Sequence, residues 1–376
     1  MNPNTRKLHD LGQRLWLDNI TREMLANGTL ARYIAELSVT GLTSNPTIFD
    51  NAIGSGRFYD DAIQSLSARG LSHEGVFFEL ALADLTQAAD LFWPIHDASG
   101  GVDGWVSLEV SPLLAHDSVN TIKMAAQLHT RAARANLFIK IPGTAEGIPA
   151  IEQSIFDGVP INVTLLFSRE HYVAAAEAYL RGIERRIEAG LDPRVDSVAS
   201  LFVSRWDVAV KQAIASPFHN RLGIAIAMRT YHAYRDLLAS KRWRKLAAAG
   251  ARPQRLLWAS TGTKDPAARD TLYVEALAAP DTINTMPDKT LIAFAGHGEI
   301  GATLRADGGY AEVVLEEFRR EGVEAFAKSW SGLMSRIREK CSPSEGADRN
   351  DAAAVPNQPM TSGQTRELTC LQPLLR

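Results

Sequence analysis

The feature that most constrains the fold is an alternation. Eight short apolar runs rich in Val, Ile, Leu, Thr and Phe lie at 15–18, 39–43, 106–110, 137–142, 161–167, 197–203, 256–260 and 282–286. Between them, the segments 21–37, 73–95, 115–134, 145–157, 169–189, 221–246 and 267–278 mostly carry apolar residues at helical spacing, several closed by Gly or Pro. Strands joined through helices must run parallel, with their outer face covered. Eight such units predict an α/β fold, a single (β/α)8 TIM barrel over 1–340, with chemistry at the C-terminal ends of its strands. A doubly wound open sheet is the competing fold. Against it, no G-x-G-x-x-G follows the first run, and the chemically interesting residues are spread over many strand ends.

From residue 342 the composition turns to Ser, Pro, Glu, Asp, Asn and Gln, which predicts a disordered tail over 341–376. The segment 310–340 before it reads as an amphipathic helix packed on the barrel. A 376-residue chain with 45% hydrophobic content can bury a large core. A formal net charge of -3 points to neither nucleic acid nor an anionic membrane as partner. The two cysteines, Cys341 and Cys370, build no disulfide framework or metal site in the barrel. With no apolar signal core at the N-terminus and no run long enough to span a bilayer, a cytoplasmic protein is expected.

Within this frame Lys140 stands out, in the otherwise apolar run Leu137-Phe138-Ile139-Lys140-Ile141-Pro142. Desolvation disfavours a lysine's charged form and favours the neutral amine that attacks a carbonyl to give a Schiff base. The bland alternative is a lysine paired with a carboxylate or snorkelling out at the strand end. Other runs also place polar residues at one parity: Ser107 and Glu109 in one, Asn162 and Thr164 in another, where Ile161, Val163, Leu165 and Phe167 face the other way. In Leu15-Trp16-Leu17-Asp18 the acid ends an apolar stretch. In a covered parallel sheet the polar parity points into a shared interior.

Taken together, Trp16-Leu17-Asp18, Thr40-Gly41-Leu42-Thr43-Ser44-Asn45-Pro46-Thr47-Ile48-Phe49, Ser107-Leu108-Glu109-Val110-Ser111-Pro112, Ile139-Lys140-Ile141-Pro142 and Asn162-Val163-Thr164-Leu165-Leu166-Phe167-Ser168 resemble transaldolase. The resemblance runs in the family's order to about residue 340 and is closest to the longer, bacterial and plant-like branch. It implies transfer of a dihydroxyacetone unit from sedoheptulose 7-phosphate to glyceraldehyde 3-phosphate, giving erythrose 4-phosphate and fructose 6-phosphate, with no metal or organic cofactor. Lys140 matches the family's Schiff-base lysine, and Asp18 the acid/base that takes the C4 hydroxyl proton. Glu109 and Thr164 match the pair that activates a water for forming and hydrolysing the imine. Asn45 and Asn162 match side chains that hold the dihydroxyacetone hydroxyls. Ser200 and Arg205 resemble the sixth-strand serine near the lysine and the arginine that grips the phosphate. The loop after the seventh strand departs from the short-chain branch in lacking its arginine, which leaves Ser260 and Lys264 for that part of the phosphate site.

Each residue also has a plainer reading. Asn45 could build a turn before Pro46, Asp18 could cap the helix beginning near Thr21, and Glu109 could be an ion-pair partner of Lys140. Asn162 and Thr164 could satisfy each other, and Lys264 could be a solvated loop residue. Gly296-His297-Gly298-Glu299 reads as a late turn rather than a metal loop, and His171 and His232 receive no role. Besides a transferase, the residues admit a lyase that releases free dihydroxyacetone, as in fructose 6-phosphate aldolases, and an inactive sugar-phosphate-binding barrel. Glu109 and the chain length favour the transferase, with sugar phosphates as small-molecule partners and a monomer or homodimer as the assembly.

Overall fold

The computed structural model describes residues 1–211, 219–301, 331–332 and 334–335. The expected helix at 310–340, those four residues apart, and the expected tail at 341–376 lie outside the described residues. Eight strands, β1 (Arg14–Leu17), β2 (Val39–Thr43), β3 (Trp105–Glu109), β4 (Leu137–Pro142), β5 (Ile161–Leu166), β6 (Ser197–Phe202), β7 (Arg255–Ala259) and β8 (Thr282–Met286), close in sequence order into a barrel. Every pairing is parallel, and β1 closes the ring against both β2 and β8. The (β/α)8 expectation is met, with strand ends within a residue of those read from the sequence.

Capping side chains start the connecting helices: Asn45, Ser72, Asp117, Ser168 and Ser240 each accept a backbone N–H of the first turn. Two expected helices are each broken in two. The 21–37 segment divides into Arg22–Ala26 and Thr29–Glu36 at Gly28, whose φ of 77° suits glycine. The 221–246 segment divides into Leu222–Ala239 and Lys241–Ala248 at Ser240, whose extended backbone ends one helix while its hydroxyl caps the next. The 267–278 segment is helical only over Leu272–Ala276. The sequence reading did not single out Pro46–Gly54, Asp60–Ala68 or Asp288–His297; the last absorbs Gly296 and His297, so the late turn begins only at Gly298.

Side chains of opposite parity fill two separate cores. Leu15, Leu17, Val39, Leu42, Val106, Leu108, Ile139, Ile141, Ile161 and Val163 pack outward against the helices. Inside the barrel Trp16, Trp105, Phe138, Val198, Leu257 and Ile283 form the filling. Trp105 stacks on Phe138 with ring centroids 4.0 Å apart. Gly41 makes room for Trp16, since a Cβ there would lie 2.5 Å from the indole Nε1. At the N-terminal end Asp103 accepts from Trp16 Nε1 at 3.1 Å and pairs with Arg14 at 3.3 Å. This floor turns the upper half of the barrel into a closed-bottomed cup.

One alternation fails. Leu165 and Phe167, expected to share the outer face with Val163, belong to the inner cluster, while Leu166 packs outward. The cause is a left-handed residue, Leu165 at φ 58°, where the β5–β6 register shifts between Val163 and Leu166. A single αL residue inserts an extra position and reverses the faces beyond it.

Candidate active site

The upper half of the cup is polar. Lys140 on β4 is 4% exposed and Glu109, its register neighbour on β3, is 5% exposed. The ammonium Nζ lies 3.6 Å from Glu109 Oε2 and donates to the Ser44 carbonyl at 3.2 Å. Both plainer readings of this pair therefore hold at the level of contacts, as an ion pair within a site. Burial pushes the Glu109 carboxyl up to about 7; the Lys140 charge opposes the rise and the Asp18 charge adds to it. Glu109 thus changes protonation near neutrality, as an acid/base at this position requires.

Alongside Lys140, centred on its register partner Asn162, a belt of hydrogen bonds joins three strands. Asn162 on β5 donates from Nδ2 to Ser107 Oγ on β3 at 3.1 Å, and Ser200 on β6 donates to Asn162 Oδ1 at 2.7 Å. The amide is fixed at both ends, with one N–H left over. Thr164, on the same strand, does not satisfy Asn162: its buried Oγ1 has no hydrogen-bond partner among the described residues. Such an orphaned hydroxyl, two positions along β5 from the register partner of Lys140, is unfavourable for folding and usable for chemistry.

Asp18 follows β1, its N–H bonded to the Met286 carbonyl at 2.8 Å. It does not cap the next helix; Thr21 does, accepting from Met24 N at 3.0 Å. Its Oδ1 accepts instead from Thr43 Oγ1 at 2.7 Å. Burial raises the Asp18 carboxyl, while Lys140, the Thr43 hydrogen bond and Lys264 pull it down. The plainer reading of Asn45 is realised in part, since its side chain accepts from Ile48 N at 3.1 Å as the cap of helix Pro46–Gly54.

The residues expected at the phosphate follow the C-terminal ends of β6 and β7. Arg205 is exposed at the start of helix Ser204–Val210. Ser260, at φ 55°, shares a 2.9 Å hydroxyl contact with Ser204, tying the β6 and β7 ends together. Lys264 is exposed in the loop after β7, near enough to Asp18 to affect its charge, and lines a cleft with Thr263, Lys289 and Thr290.

The sequence reading missed Ser44, which acts through its carbonyl, and Thr43, Ser107 and Thr285, whose hydroxyls complete the interior network. The strand parity puts Ser107 on the inner face but gives it no role. His171 accepts from Phe167 N at 3.3 Å, and His297 bonds Asp270 at 2.8 Å. Among the described residues no group of three or more His, Cys, Asp or Glu could hold a metal ion. No helix among them is long and apolar enough to cross a membrane.

A closed (β/α)8 barrel with an enclosed lysine on β4, a carboxyl titrating near neutrality on β3 and a second acid at the end of β1 has the equipment of a Schiff-base aldolase. Comparison with known sequences is specific. The family model described as transaldolase/fructose-6-phosphate aldolase matches residues 15–337. A transaldolase of Thermobifida fusca is 44% identical over 360 residues, covering 89% of this chain and 97% of that protein. One of Frankia alni is 43% identical over 357 residues, covering 89% and 96%. A protein named transaldolase 1 of Streptomyces avermitilis is 42% identical over 359 residues, covering 89% and 94%. The chain belongs to the transaldolase/fructose-6-phosphate aldolase family.

Proposed function

We propose that this protein is a transaldolase of the non-oxidative pentose phosphate pathway, moving a dihydroxyacetone unit from sedoheptulose 7-phosphate to glyceraldehyde 3-phosphate through a Schiff base on Lys140. The observation that carries this reading is the enclosed Lys140, 3.6 Å from Glu109 inside the barrel of a chain of this family. The Lys140 amine adds to the ketose carbonyl. Glu109 and Thr164 shuttle the protons of the water lost as the carbinolamine becomes an iminium. Asp18 takes the C4 hydroxyl proton, the C3–C4 bond breaks, and its electrons pass into the iminium to leave an enamine while the aldehyde departs. An acceptor aldehyde reverses the sequence: the enamine carbon attacks its carbonyl, Asp18 returns the proton, and water releases the ketose. Asn45 and the remaining N–H of Asn162 hold the dihydroxyacetone hydroxyls, and Ser200 keeps the Asn162 amide in place. Arg205, Ser260 and Lys264 form the phosphate rim, two cations facing a dianion.

Transferase is favoured over lyase by the names of the relatives and by Glu109 beside the lysine. The reading includes a cytoplasmic enzyme, a monomer or homodimer, that needs no cofactor. The test is to supply fructose 6-phosphate with and without erythrose 4-phosphate. Sedoheptulose 7-phosphate should form with the acceptor, and free dihydroxyacetone should not accumulate without it. Release of dihydroxyacetone at a comparable rate makes the protein an aldolase; turnover of neither kind makes it a binding barrel.

A further inference from the structure

Two threonines that the proposed mechanism leaves idle sit directly behind Asp18. Thr43 on β2 and Thr285 on β8 reach into the barrel from the two strands flanking β1, and they are 1% and 2% exposed. Thr43 Oγ1 is 2.7 Å from Asp18 Oδ1 and 2.7 Å from Thr285 Oγ1. A hydroxyl has one proton to give. If Thr43 gives its proton to the Asp18 carboxylate, Thr285 must give its own to Thr43, and every proton in the chain is used. If Asp18 is protonated and donates to Thr43, Thr43 donates to Thr285, whose proton then has no acceptor among the described residues. A buried donor without an acceptor is costly, so the chain runs preferentially toward Asp18.

We propose that Thr285 is a positioning residue for carbon–carbon bond cleavage: acting through Thr43, its hydroxyl orients Asp18 and favours the form that accepts a proton. This rests on the reading of Asp18 as the acid/base of that step. Asp18 is also faced by Lys140 from β4, Lys264 from the loop after β7, Asp288 from the segment after β8 and, more weakly, Glu109 from β3. None of these bonds to Thr285, so removing its hydroxyl leaves their fields in place.

The test compares Thr285→Val, which keeps the shape and loses the hydroxyl, with Thr285→Ser, which keeps the hydroxyl. In the valine variant kcat with fructose 6-phosphate and erythrose 4-phosphate should fall about tenfold, the worth of one buried hydrogen bond. KM should change little, borohydride trapping of the ketose imine should be unaffected, and the acid limb of kcat should move to higher pH. The serine variant should recover most of the loss. Thr285→Val with the kcat and pH profile of the unmodified enzyme, or a serine variant no better than the valine one, overturns the proposal. If the valine variant does not fold, as judged by circular dichroism, Thr285→Ala is read by the same criteria. Asp18→Asn separates the two readings: retained cleavage overturns the role of Asp18 and this proposal together. Lost cleavage alongside an unaffected Thr285→Val overturns this proposal alone.

Discussion

At the scale of single residues the site is built from groups that folding alone would not choose. Lys140 and Glu109 are buried together, with Lys140 also donating to the Ser44 carbonyl, and Thr164 Oγ1 is buried with no hydrogen-bond partner among the described residues. With its carboxyl raised to about 7, Glu109 is protonated below neutrality and ionised above it. Since the ionised form is the one that can take a proton from Lys140, the rate of imine trapping should rise through a pH of about 7, not through the 4.5 of an ordinary glutamate. Glu109→Gln should remove that inflection and slow trapping by roughly 10²- to 10⁴-fold. The same inflection persisting in the glutamine variant would assign it to another group. In Asp18→Asn, trapping of the intact ketose should continue while cleavage falls by a similar factor. The interior parity of the strands made Glu109, Lys140, Asn162 and Thr164 legible. Thr43 and Thr285 were not, because threonine is as common in strands for its branched shape as for its hydroxyl. Ser44 was illegible for a different reason, since it serves through a carbonyl that every residue has.

At the scale of elements, the strands were legible almost to the residue because a strand covered on both faces is a continuous apolar run bounded by polar ones. The breaks were less so. The 21–37 segment reads as one helix although Gly28 divides it, and nothing in Leu165 signals a left-handed backbone. The bulge it creates sends Leu165 and Phe167 inward just beyond Thr164. The Gly41 position in β2 has the opposite character, being dictated by a neighbour. Trp16 is fully buried and has nowhere to move, so the Cβ of Gly41→Ala, 2.5 Å from its ring, must displace β2 or the indole. A loss of about 1–3 kcal/mol is expected from overpacking, read as a lower urea midpoint. A change within about 0.5 kcal/mol, the range of neutral surface substitutions, would mean that the ring is free to shift.

At the scale of the whole molecule the barrel divides its labour along its axis. The aromatic filling and the Asp103 floor close the N-terminal end, and the ionisable groups occupy the C-terminal end. Asp103→Asn should therefore lower stability by about 1–3 kcal/mol, by removing the charge that the buried Asp103 presents to the half-buried Arg14. KM and kcat should stay within about twofold of their original values, because no reacting group lies at that end. A large loss of kcat in a variant that remains folded would show the two ends to be coupled. The central claim, that Lys140 carries the substrate, is tested most directly by borohydride reduction in the presence of fructose 6-phosphate without acceptor, followed by mass mapping. The account predicts a dihydroxyacetone-derived adduct on Lys140 that disappears in Lys140→Met. No adduct on the folded protein, or an adduct on another lysine, would contradict it.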